Sequence, residues 1–192
     1  MRLLVALAVA GTLAAAAGSA LANHQVGHGT PAKSLPELTK AAEQNDAVAQ
    51  NNLAVMYATG SGVKQDYAQA AKWYEKAAEQ GYAIAQYNLA AMYEHGMGVA
   101  RDPRAAAILY QLAADQGDAW AQFNLGRLES AGDLKHTVSA YRWLYLANEA
   151  DDAEVRRVAA PLLKEVAAQL SGAQAAEATR LVSAWKARAK KP

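Results

Sequence analysis

Residues 56–66 read MYATGSGVKQD and residues 92–102 read MYEHGMGVARD, the second copy standing 36 positions after the first. Over the full interval, residues 46–81 and 82–117 agree at 19 of 36 positions. A third copy opens at AQFNL (121–125), matching AQNNL (49–53) and AQYNL (85–89). A repeat of this length is one supersecondary unit that cannot bury its apolar face alone. Neighbouring units must stack, so the fold is a solenoid in which each unit touches mainly the next.

Each unit predicts two helices. Ala49, Leu53, Met56 and Tyr57 fall on one helical face. Gly60 and Gly62 then end the helix, where positive φ or close backbone approach favours glycine. Asp66 is placed to cap the second helix. In the next copy Asp102 precedes Pro103, the residue favoured at the first helical position. Tyr67, Ala70, Ala71, Tyr74, Ala77 and Ala78 form the second stripe, which Gly81 closes. Gly117 ends the matching helix of the second copy, and Asn45 occupies the same register before the first. Alanines at facing positions let helix axes approach closely. Tyr57, Tyr74, Tyr93 and Tyr110 are expected to fill the gaps between helices and anchor a hydroxyl at the rim.

The segment AVAQNNLAVMYATGSGVKQDYAQAAKWYEKAAEQG resembles a Sel1-like repeat, a relative of the tetratricopeptide repeat. The resemblance covers about residues 35–149 and rests on glycines, aspartate, aromatics and the Ala-Ala pair agreeing together. It implies an all-α, right-handed α/α superhelix, here of about nine helices. Ala54 and Ala90 replace the family's glycine after Asn-Leu, and only Gly126 keeps it. Leu109 replaces the tryptophan matched by Trp73 and Trp143. The third copy is two residues shorter between its helices. His136 stands there where the capping aspartate should be, with Thr137 as the expected cap.

The array is read as residues 34–149, with full units at 46–81, 82–117 and 118–149 and a half unit before them. Ser34 and Glu37 form a capping box that opens the half unit's helix at about 35–44. Residues 150–192 read as a helical cap with a basic tail, because a solenoid must cover its last apolar face. There, Asp151 with Glu154 and Ser171 with Gln174 form further boxes, and Pro161 is expected to kink the first of the two helices. The tail cations Lys186, Arg188, Lys190 and Lys191 suit a helix C-terminus.

The N-terminal segment MRLLVALAVAGTLAAAAGSALA (1–22) has one Arg, an apolar run, and small residues ending in Ala20-Leu21-Ala22. This is the layout of a secretory signal with an A-x-A cleavage site. Cleavage after Ala22 is expected, leaving Asn23 first in a periplasmic or secreted protein. An uncleaved leader would instead tether the chain to a membrane. Residues 23–33 read as a flexible linker whose His24 and His28 are too few to hold a metal firmly.

Composition removes several functions. Net charge is +1, and loss of Arg2 with the leader would leave 18 residues of each sign. No strong field would draw nucleic acid to such a chain. There is no cysteine, which excludes disulfides and thiolate metal sites. Gly60-Ser61-Gly62 follows no predicted strand, so it is no nucleophile elbow. His95 beside Glu94 makes neither triad nor metal site. No catalytic constellation and no cofactor site emerge.

A protein or peptide partner is the function the resemblance implies. Asn52, Asn88 and Asn124 recur at 36-residue spacing on the first helix of each unit. In related tetratricopeptide domains an asparagine at this position lines the concave face and grips a peptide C-terminus with help from basic residues one turn earlier. Here those positions hold Val48, Ile84 and Trp120. A neutral groove with Tyr87 and Phe123 at its edge fits better. The same asparagines could equally bond neighbouring backbone and organise the stack. The expected function is a non-catalytic interaction scaffold of the bacterial envelope. A membrane-tethered accessory subunit and a cell-wall hydrolase are the rivals. The cysteine-rich relatives linked to penicillin chemistry depend on cysteine pairs that this chain lacks.

Overall fold

A computed structural model describes residues 34–189. The expected leader, the linker with His24 and His28, and Lys190 and Lys191 lie outside the described residues. Among those described, the secondary structure is nine α-helices and one 3-10 turn, without strands. The helices are α1 (Leu35–Glu43), α2 (Ala47–Thr59), α3 (Tyr67–Glu79), α4 (Ala83–His95), α5 (Pro103–Asp115), α6 (Ala119–Ser130), α7 (Thr137–Asn148), α8 (Ala153–Ala167) and α9 (Gly172–Ala189). The 3-10 turn, Gly132–Leu134, lies between α6 and α7. The described residues form two compact units that divide between Ala106 and Ala107, inside α5.

In the first unit α1 packs on α2, α2 on α3, and α3 on α4. Leu38, Ala42, Ala49 and Leu53 form its opening core, with Met56, Tyr57 and Trp73 against them. The caps follow the sequence. Ser34 N–H donates to Glu37 Oε2 at 2.9 Å, and Asp66 accepts from the N–H of Gln69 at 3.0 Å. Asp102 accepts from the N–H groups of Arg104 and Ala105. Asn45 has φ 68°, in register with Gly81 at 82°. An asparagine holds the left-handed turn that glycine holds one repeat later.

Two of the expected rim tyrosines are placed differently. Tyr74 and Tyr110 are 0% and 1% exposed, so these two sit in the core rather than at an edge. The alanines around them leave room for a whole ring between helices, and that room takes the hydroxyl inside as well. Tyr57 and Tyr93 are half-buried.

In the second unit α6 packs on α7 and α7 on α8, while α9 returns to pack on α7. Gly126 allows the first of these contacts. A Cβ there would lie 2.7 Å from Leu144 Cγ and 3.1 Å from Leu144 N. The loop two residues shorter is absorbed by the 3-10 turn. Its closure is unchanged: His136 N–H donates to Glu129 O at 2.7 Å, as Asp66 donates to Tyr57 O and Asp102 to Tyr93 O.

Two caps differ from expectation. His136 itself caps α7, its Nδ1 accepting the Ser139 N–H at 3.3 Å, so Thr137 is the first helical residue. An imidazole nitrogen offers the same lone pair as a capping carboxylate. Asp152, not Asp151, caps α8 by accepting from Glu154 and Val155. Pro161 lies inside α8, which continues past it to Ala167. The Ser171–Gln174 box closes as expected, Ser171 N–H donating to Gln174 Oε1 at 2.9 Å.

Candidate functional site

The first helix of each repeat carries a glutamine that sequence reading passed over. Gln50, Gln86 and Gln122 are 2%, 4% and 3% exposed. Each donates its side-chain amide to a last-turn alanine of the preceding second helix. The acceptors are the carbonyls of Ala42, Ala78 and Ala114, at 3.0, 3.2 and 3.2 Å. The signal was present in the AQ of AQNNL, AQYNL and AQFNL. A buried carbonyl left unpaired costs about 1–3 kcal/mol, so these amides hold successive helix pairs in register.

The predicted partner-binding residues separate into two kinds. Asn52 and Asn124 are half-buried, with surface facing solvent. Asn88 is 0% exposed. Its Nδ2 donates to Asn51 Oδ1, and Asn51 Nδ2 to Asn52 Oδ1, both at 3.4 Å. This amide chain joins the first helices of consecutive repeats. Tyr87 is buried. Phe123 is half-buried against Ala140, Leu144 and Val166, and meets Trp120 edge to face at 6.1 Å. Asn124 Oδ1 accepts from Arg127 at 3.4 Å. One turn before the asparagines, Val48 is exposed while Ile84 and Trp120 are half-buried.

Glu129, His136 and Arg142 gather inside the second unit. Burial pushes the Glu129 carboxyl up, against the Ser139 hydroxyl bond, His136 and Arg142, which draw it down. Burial also lowers the Arg142 guanidinium. Glu129 Oε2 and Arg142 Nε have no hydrogen-bond partner among the described residues. His136 spends Nδ1 on its helix cap, so that nitrogen is not available as a base. Among the described residues no group of three or more His, Cys, Asp or Glu could hold a metal. Among them, too, no helix is long and apolar enough to cross a membrane.

Comparison with known proteins agrees with this architecture. The Sel1 repeat family matches residues 47–82, 83–118 and 121–152. The structure is similar to that of a protective antigen of uropathogenic Escherichia coli displaying an SLR fold. That match has TM-score 0.68 and 29% identity, and covers 90% of this chain and 37% of the antigen. It is also similar to a Sel1 repeat protein from Oxalobacter formigenes. Here the TM-score is 0.55 and the identity 35%, over 62% of this chain and 56% of that one. The chain thus spans well under two thirds of either relative. None of the curated proteins compared matches it. Three repeats over more than half the chain, on helix pairs that match solved SLR structures, make this an all-α solenoid that belongs to the Sel1 repeat family.

Proposed function

We propose that this protein is a non-catalytic scaffold of the bacterial envelope that binds a polypeptide through the first helices of its repeats. The observation that carries this reading is the tandem array itself. Three units of one family present the same helix at the same register. Asn52 and Asn124 keep exposed surface there. A buried Asn88 fixes the spacing between neighbouring first helices. The layout of residues 1–22 as a secretory signal supports the envelope setting.

A paired experiment tests the face. Asn124→Ala should weaken partner recovery, by about 1–3 kcal/mol where a buried partner group loses its bond, and leave the melting temperature nearly unmoved. Asn88→Ala should lower the melting temperature, because it breaks the amide chain to Asn51. Equal recovery with Asn124→Ala and wild type would remove this face from consideration. Export makes a separate prediction. N-terminal sequencing of protein from the native envelope should begin at Asn23, since small residues stand at positions 20 and 22. A chain beginning at Met1 would contradict cleavage.

A further inference from the structure

In the first repeat Gln50 is bonded on both sides of its carboxamide. The nitrogen donates to Ala42 O, and the oxygen accepts from Gln80 Nε2 at 2.7 Å. Gln80 follows the end of α3, and Gln116 holds the same place after α5. In the third repeat this place is Ala150. Its backbone is held as that of Gln116 is: Ala150 N–H donates to Ala147 O at 3.2 Å, Gln116 N–H to Ala113 O at 3.1 Å. Only the side chain is missing.

The consequence falls on Gln122. Its nitrogen is tied to Ala114 O, which turns the carboxamide oxygen the other way. Among the described residues the Gln122 side chain makes only the bond to Ala114 O, and its oxygen is not among the fully buried unpaired atoms, so it is open to the adjoining space although the residue is 3% exposed. Gln122 lines a pocket of about 460 Å³ together with Ala150, Asp151, Asp152 and Trp185. The pocket therefore occupies the side where a glutamine donor stands in the first repeat.

The rest of the lining says what donor suits it. Asp152 spends Oδ1 on the α8 cap. Glu149 is paired with Lys186, which holds the Glu149 carboxyl below its ordinary range. Arg156 takes up the Ala150 carbonyl without being part of the lining. Asp151 is exposed and makes no ion pair among the described residues. The Gln122 oxygen, the Asp151 carboxylate and Asp152 Oδ2 thus remain as acceptors beside an indole, and the one cation in the lining, Lys186, is already neutralised by Glu149. A guanidinium is donor-only, planar and multiply branched, so it can bond two acceptors at once and lie on an aromatic face. An ammonium presents a compact point charge with no plane to stack.

We propose that this pocket receives the guanidinium group of an arginine side chain from a bound polypeptide. The source of that arginine rests on the scaffold reading; the chemistry of the pocket does not.

The test is an NMR titration of the whole protein with blocked arginine (N-acetyl-arginine amide). Blocked citrulline, blocked lysine and free arginine are the comparison arms. Blocked arginine should shift the Gln122 side-chain amide and the Trp185 indole resonances. It should bind at least about tenfold tighter than citrulline, whose neutral urea loses the charge-assisted bond. Ala150→Gln, which restores the missing internal donor, should weaken arginine binding at least about tenfold while the spectrum stays folded. Asp151→Asn should weaken it too and serves if Ala150→Gln does not fold. Citrulline or lysine binding as well as arginine would overturn the proposal, as would undiminished binding by these variants. Tighter binding of free than of blocked arginine would overturn the polypeptide source. No partner is needed, so failure here removes the pocket assignment and leaves the scaffold reading to be judged by Asn124→Ala.

Discussion

Gly98→Ala is expected to destabilise the fold by about 2–5 kcal/mol, more than any other glycine substitution in the first two repeat loops. Two costs add at this residue. Its φ is 70°, a conformation that costs a residue with a Cβ about 1–2 kcal/mol. The added Cβ would also lie 2.3 Å from Tyr67 C and 2.4 Å from Tyr67 O, at the start of α3. Those are backbone atoms of the preceding repeat, and they cannot swing aside. Gly62, one repeat earlier, has the same strain at φ 77°, but its Cβ would meet only the flexible end of Met56 at 3.2 Å. Gly62→Ala should therefore cost about 1–2 kcal/mol. Ser61→Val should cost least, since Met97 already fills the matching place. Thermal or denaturant melts of the three variants give the ranking. Equal losses at Gly62 and Gly98 would mean that the loop does not sit on α3 as described.

Trp143→Ala should cost about 3–5 kcal/mol, the range for emptying a buried aromatic site. Trp143 is fully buried. Trp73, at the same register, is half-buried with the Lys76 ammonium 4.3 Å above its ring. Trp73→Ala should cost less, because part of that ring is already in water. The indole nitrogen of Trp143 is buried without a hydrogen-bond partner among the described residues. An unpaired buried donor costs about 1–3 kcal/mol. Trp143→Phe removes that donor while keeping a ring beneath the Arg142 guanidinium, 4.0 Å away. Its cost should stay under about 1.5 kcal/mol. Denaturant midpoints of the three variants check the order. A Phe variant as unstable as the Ala variant would show that the indole nitrogen is satisfied after all.

The parts of the fold that could be read from the residues are those with local causes. Gly60, Gly62 and Gly81 mark left-handed turns because few other residues tolerate them, and Asn45 is the residue that can substitute. Asp66 and Asp102 mark helix starts because a free N–H needs an acceptor close in sequence. Features that depend on a partner elsewhere were not readable. Tyr74 looks the same in sequence whether its hydroxyl reaches a rim or stays inside. The capping role of His136 requires knowing which way its ring turns. Asn88 shares its register with Asn52 and Asn124, but it is buried and bonds Asn51 on the first helix of the preceding repeat. The glutamine ladder was visible as a repeated letter, but its acceptors lie eight residues away across a turn. The missing donor at Ala150 shows only after the two-residue deletion is placed correctly and Gln80 is seen to bond Gln50.

Site-specific photocrosslinking tests the partner-binding face most directly. A photoreactive residue is placed in turn at Asn52 and Asn124 on the first helices, and at Lys72 and Glu75 on the exposed side of α3. Each full-length variant is irradiated in intact envelope preparations. One common crosslinked polypeptide is expected from positions 52 and 124, and none from 72 and 75. Crosslinking of that polypeptide from 72 and 75, with none from 52 or 124, would contradict it.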